Sequence, residues 1–501
     1  MLRRFVRDIL TYLPSKLLPA ITGMITVPIL TRLFLPEDYG NYALAAGLPA
    51  LLFALAGSGY GASVTRFYPA YKTRGQESTF FATLGASAMG VILVVAAITA
   101  LGIYASRGLI PERLYPLLLL AVLIFIADSL FLLLMGVVRS QERSGVYTAL
   151  ELTSRYGSLG IGLLLVIVVG LGVEGLLLGE LAAIAVCVPL LVRLVARGVR
   201  FTRSDIKRDD AVQVWHYAWP LALGNMAMWG LRLSDRYIIG LFRPMTEVGL
   251  YSVAYTISDK SIDMLVALFL LTRGPMLMNI WEAQGREAAE RLQTVVTRLF
   301  LVVCLPAAAG LTVLAFPFVA LLTGEAYHDG FRVVGAVAFA SFCWGLSQLA
   351  CAGLMIGKRS SIVARNQILM SGLNLGLNFL LVPLFGYVAA GLTTLVCYAG
   401  LVVLHARDSK PYFTWHFPWA TAARASAATL VMGLVTAAVY GLSGGGLLHL
   451  SLDRLALSIA VAVPTYSVVL LALGEASSEE QAAAKRMLRR LTGAVSLPDS
   501  Q

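Results

Sequence analysis

Between Leu114 and Val138 the chain reads LYPLLLLAVLIFIADSLFLLLMGVV, with Asp128 as its only ionisable side chain. A helix rises about 1.5 Å per residue, so roughly 20 such residues cross a hydrocarbon core about 30 Å thick. Stretches of this kind recur along the whole sequence. Read between their polar punctuation, they predict fourteen spans at approximately 13–33, 42–65, 80–105, 114–137, 147–170, 173–192, 214–241, 248–272, 299–322, 333–356, 366–383, 387–405, 425–442 and 455–473. Only 13% of the 501 residues are charged, too few to cover a soluble protein of this length. The ten-residue alternation of a membrane β-barrel is missing. The first stretch is too long and too poorly flanked for a cleaved signal peptide. The sequence therefore predicts an all-α polytopic membrane protein.

The basic residues test this reading independently. Alternating sides from a cytoplasmic N-terminus places 28 of the 39 lysines and arginines in cytoplasmic segments. Only Arg107, Arg113, Arg243, Arg332 and Arg454 fall on the other side. Such a bias fits fourteen helices with both termini in the cytoplasm. The net charge of +11 is then mostly topological, and nucleic acid is not an expected partner. Five cysteines lie inside predicted spans without a CxxC pair, and the five histidines are scattered, so no metal or redox site is expected. No GxSxG, P-loop or HExxH occurs, and no cofactor is expected. The main soluble segments, 193–213, 273–298 and the tail after Leu473, are too small for a catalytic domain, so the chain is not expected to be an enzyme. GSGYG at 57–61 has no strand before it and reads as close helix packing or a hinge. Trp215 and Trp219 read as interfacial anchors.

Two segments repeat. TRLFLPEDYGNYALA (31–45) returns as RYIIGLFRPMTEVGLYSVA (236–254), with Pro36, Gly40 and Tyr42 matching Pro244, Gly249 and Tyr251. Proline discourages continuation of the preceding helix and glycine permits tight re-entry. An acid suits a helix N-terminus and tyrosine suits the membrane interface. LLMGVVRSQERSGVY (133–147) likewise returns as GLMIGKRSSIVARNQ (353–367), matching span five to span eleven. An offset of six helices keeps both copies in the same orientation. It predicts two parallel six-helix lobes, spans 1–6 and 7–12, around a central cavity, plus two peripheral helices. The expected divisions are 1–206, 207–410, 411–475 and a cytoplasmic tail at 476–501.

With LSDRYIIGLF…EVGLYSVAYTI at 233–257 and the paired MGVVRSQERS and MIGKRSS turns, these features resemble the Wzx-like oligosaccharide flippases. These form the polysaccharide-biosynthesis branch of the multidrug/oligosaccharidyl-lipid/polysaccharide (MOP) exporter superfamily. The resemblance covers roughly residues 5–470. It implies two lobes that rock between inward- and outward-open states in a bacterial inner membrane. It further implies an undecaprenyl-pyrophosphate-linked oligosaccharide as cargo, carried to the outer leaflet for surface polysaccharide such as O-antigen, capsule or exopolysaccharide. A polymerase and other assembly proteins are the partners it suggests.

Ionisable groups inside spans are costly and mark a cavity or a partner. Six bases lie there: Lys16, Arg32, Arg155, Arg232, Arg236 and Lys260. They are the candidates for a pyrophosphate or acidic sugar, because guanidinium forks match phosphate oxygens. Arg232, Asp235 and Arg236 share one helical face, as do Asp259 and Asp263 with Lys260 adjacent. Asp235, Asp259 and Asp263 are the candidates for coupling to an H⁺ or Na⁺ gradient. The other reading of these charges is internal pairing, within or between spans seven and eight. Arg32 lies close enough to a helix end to snorkel, and Arg155 stands four residues from Glu151.

Two other functions fit less well. A drug or cation antiporter of the same superfamily would typically have twelve spans and fewer cavity arginines, whereas fourteen spans and internal bases favour an anionic cargo. A polysaccharide polymerase or ligase would need a large outer loop, and a glycosyltransferase a nucleotide-sugar domain.

Overall fold

A computed structural model describes residues 22–23, 25–195, 205–442 and 451–475. Lys16, most of the first predicted span and the 476–501 tail lie outside the described residues. No strand occurs among them. After a helical segment α1 at 25–33 come α2 (Pro36–Ala56), α3 (Ser58–Thr73), α4 (Glu77–Ala105), α5 (Leu114–Ser140), α6 (Ser144–Ile167) and α7 (Val173–Val195). Then follow α8 (Arg208–Phe242), α9 (Met245–Gln284), α10 (Arg286–Val313), α11 (Ala315–Leu322), α12 (Phe331–Ala350) and α13 (Ala352–Ile356). The last four are α14 (Ser360–Phe385), α15 (Tyr387–Ser409), α16 (Trp419–Leu442) and α17 (Leu452–Ala472).

Twelve of the described helices are long and apolar enough to cross a membrane. The expected count of fourteen is thus not reached among the described residues. The first span falls mostly outside them. The seventh, α8, is 35 residues long, but Arg232, Asp235 and Arg236 interrupt its apolar half. Three expected spans are also broken. The second runs as α2 and α3, divided at Gly57, the ninth as α10 and α11, divided at Leu314, and the tenth as α12 and α13, divided at Cys351. By contrast α9 continues for 40 residues, about 60 Å, well past the bilayer core. It ends at Gly285, whose φ of +83° turns the chain into α10.

Alternate connections gather on opposite faces. On one, Arg113 reaches Asp38 at 3.0 Å, the Tyr327 hydroxyl donates to the Phe34 carbonyl at 3.0 Å, and the Tyr387 N–H donates to Glu247 at 3.0 Å. On the other, Arg286 donates to Thr414 at 2.9 Å and Gln141 to the Tyr68 hydroxyl at 2.8 Å. The matched turns share an unusual backbone. Glu142 (φ 58°) and Lys358 (φ 54°) are the non-glycine residues with positive φ among the described ones, and each precedes an Arg-Ser pair that opens a helix.

The matched hairpins touch each other. Pro36 opens α2 with Glu37 and Asp38 in its first turn, and Pro244 caps α9 with Glu247 in its first turn, as the sequence suggests. The glycines do something else. Gly40 and Gly249 lie inside α2 and α9, where a Cβ on Gly40 would strike the Met245 carbonyl and one on Gly249 the Pro36 carbonyl. They permit backbone contact between the two copies rather than chain reversal. Gly59 of the GSGYG stretch likewise lies against the Ala218 carbonyl of α8.

The last two helices are tied down by Glu475. This buried carboxylate accepts from Arg298 of α10 at 2.7 Å, from Thr421 at 2.5 Å and from Arg424 of α16 at 3.2 Å. Burial pushes its pKa up, but those donors and the Arg298 charge outweigh burial and hold it below the usual carboxylate range.

Two measurements check this packing. Gly249→Ala should lower the thermal midpoint of the purified protein, at a cost of about 1–3 kcal/mol for overpacking. Gly90→Ala, whose Cβ meets open space, should not. Because the Glu475 pKa is depressed, its stabilisation is full above the unfolded value of about 4.3 and is lost as pH falls through the folded one. Glu475→Gln should lower the midpoint at pH 7 and flatten its decline between pH 5 and 3.

Candidate functional site

The second half of α8 faces α9, α14 and α15, and one helical face delivers Arg232, Asp235 and Arg236 to that junction. Asp235 is fully buried. It accepts hydrogen bonds from the Tyr251 hydroxyl at 2.6 Å, Asn378 Nδ2 at 2.7 Å and the Thr394 hydroxyl at 2.8 Å. Behind these, Asn378 also donates to Asn374 Oδ1 at 3.1 Å and accepts from Thr393 at 2.5 Å. Both threonines donate to the Ala390 carbonyl at 2.9 Å. A carboxylate, two amide side chains, two threonine hydroxyls and a backbone carbonyl therefore meet in one buried cluster.

The arginines turn away from that carboxylate. Arg236 lies over the Tyr255 ring at 4.7 Å and the Tyr251 ring at 5.8 Å, and donates to the Arg232 carbonyl at 3.2 Å. Arg232 lies over the Trp344 ring at 5.6 Å. The ion pair between Asp235 and an arginine that the spacing offers is thus not formed; neutral donors satisfy the acid, and aromatic faces hold the cations. Asp259 accepts from Ser341 at 2.9 Å, with Lys260 Nζ 3.9 Å from its other oxygen. Asp263 follows one turn later on α9.

The other candidates lie apart. Arg155 sits 3.8 Å from Glu151 and borders a cavity of about 240 Å³ with Thr26, Tyr42, Glu180 and Thr256. Arg32 donates to the Pro28 carbonyl at 2.9 Å and the Leu321 carbonyl at 3.2 Å, closing the end of α11. Lys16 lies outside the described residues.

Sequence reading missed the neutral half of the site. Tyr251, expected at the interface, is wholly buried and donates to Asp235. Asn374 and Asn378, four residues apart in an otherwise apolar span, and the Thr393-Thr394 pair were the available signal.

The sequence profile of a polysaccharide biosynthesis protein family matches residues 29–331. The chain belongs to that family. It is 22% identical over 306 residues to a probable low-salt glycan biosynthesis flippase, Agl15, of Haloferax volcanii. That match covers 60% of this chain and 62% of the relative's length. Among solved structures, the fold is similar to the lipid II flippase MurJ in an inward closed conformation. The TM-score is 0.68 at 13% identity, covering 93% of this chain and 98% of that one. An inward-facing multidrug resistance MATE family transporter of the MOP superfamily gives 0.57 at 14% identity, covering 81% and 94%. This member of the polysaccharide biosynthesis family therefore has the MurJ/MATE-like fold of a multi-pass membrane protein.

Asp235→Ala would leave three buried donors without their acceptor, at about 1–3 kcal/mol each. Its thermal midpoint should fall further than that of Tyr251→Phe, which removes one donor and leaves two. Equal midpoints in the two variants would contradict the buried network.

Proposed function

We propose that this protein is a flippase that carries an undecaprenyl-pyrophosphate-linked oligosaccharide from the inner to the outer leaflet of a bacterial inner membrane. Surface polysaccharide assembly is the purpose, and both termini face the cytoplasm. The observation that carries this reading is the pair Arg232 and Arg236. Both guanidiniums are set among membrane helices, against aromatic rings, with no carboxylate oxygen within 4.0 Å among the described residues. A cation so placed favours an anionic visitor, and a lipid diphosphate is one. Lys260 on α9 and Arg155 beyond it extend positive charge along a route, and Lys16 is assigned to it by sequence. A drug or cation antiporter shares the fold, but paired arginines without a carboxylate in direct contact disfavour a cationic cargo.

Alternating access needs an energy source, and Asp235 is the strongest candidate for supplying it. Its oxygen-rich surroundings suit a proton or a hard monovalent cation such as Na⁺. Asp259 and Asp263 stand next to the cargo bases and are the secondary candidates. A polymerase of the same assembly line is the expected protein partner.

Reconstituted translocation of a defined lipid-linked oligosaccharide, with and without imposed H⁺ and Na⁺ gradients, tests both parts. Arg232→Ala or Lys260→Ala should abolish translocation at normal membrane levels, and retained export would remove the head-group role. Asp235→Asn should make transport indifferent to whichever gradient drives the native protein.

A further inference from the structure

A cavity of about 780 Å³ opens on the basic face, walled by α3, α4, the α5–α6 turn and α7. It is far larger than the roughly 30 Å³ that one water occupies. Lys72, Arg143 and Arg193 converge on it from three separate elements. None has a carboxylate within 4.0 Å among the described residues. A positive-inside bias explains bases at this level of the membrane, but not their convergence on one concavity.

The inner wall is a polar relay. Gln141 Nε2 donates to the Tyr68 hydroxyl at 2.8 Å, which donates to Glu77 Oε1 at 2.8 Å. The relay leaves Gln141 Oε1 buried with no partner. The left-handed Glu142 fixes the turn that presents Gln141 and Arg143 side by side.

A third part of the wall is apolar. Leu190 and Leu194 of α7 line the same cavity, and Leu190 is 51% exposed beside the exposed Val186 and Val192. In a membrane helix that face meets acyl chains. The cavity thus combines cations at head-group level and a side open to hydrocarbon.

We propose that this cavity binds an anionic glycerophospholipid of the adjoining leaflet. Its phosphate sits among Lys72, Arg143 and Arg193, and an acyl chain lies along Leu190 and Leu194. Every wall residue belongs to α3–α7, so the site is separate from the Arg232 and Arg236 side and does not depend on what the protein transports.

The experiment is native mass spectrometry of the full-length protein titrated with phosphatidylglycerol or phosphatidylcholine. Lys72→Gln/Arg193→Gln is compared with the charge-matched Lys358→Gln/Lys410→Gln on the same face. Retained phosphatidylglycerol affinity should fall about tenfold in the first double variant, about 1.4 kcal/mol, and stay within about twofold in the second. Arg143→Gln alone serves if the first does not fold, and should also weaken binding. An equal loss in both double variants would mean diffuse surface charge and overturn the proposal. Equal binding of glycerol phosphate without acyl chains would assign a soluble anion instead. Stronger binding of a polyprenyl-diphosphate-linked glycan would make this a cargo site, and would likewise overturn it.

Discussion

Hydrocarbon supplies neither hydrogen bonds nor ionic screening, and everything described here is an answer to that. Backbone groups are satisfied within helices, which leaves only side chains to settle. Where a charge enters, the chain has to meet it from within. Asp235 is met by three neutral donors drawn from α9, α14 and α15. That arrangement couples the rotation of α8 to its neighbours, since moving any one of them strips a donor from a buried carboxylate. The arginines on the same helical face are treated differently, with aromatic rings rather than carboxylates in direct contact with their guanidiniums.

Much of the architecture was legible because membrane helices announce themselves by length and composition alone. The hairpin at 31–45 and its echo at 236–254 were also legible, since proline and first-turn acids act locally. What was misread acts at long range. Gly40 and Gly249 look like turn residues until the second copy is placed against the first. Tyr251 looks interfacial until Asp235, one helix away, appears beside its hydroxyl. The acids and bases of the candidate site were visible as costly exceptions in apolar spans. Their partners were not, because asparagine and threonine cost less in a membrane helix and so stand out less.

The charge pattern alone also left open which ions pair with which. Spacing along α8 permits Arg232 or Arg236 to neutralise Asp235, and helical geometry cannot forbid it. The outcome is set by where α12 brings Trp344 and where α9 brings Tyr255, which no local rule reaches.

The seam between the hairpins has the form of an isologous interface, in which one patch meets a copy of itself: Gly40 on Met245, Gly249 on Pro36. In a dimer of identical subunits, every substitution at such a seam appears twice. Joining the copies in one chain removes that obligation. Aligned through the hairpins, Asp235 falls opposite Val27, a buried aliphatic residue. One copy has kept an apolar seat while the other has become a polar cage, a division of labour that strict two-fold symmetry would forbid.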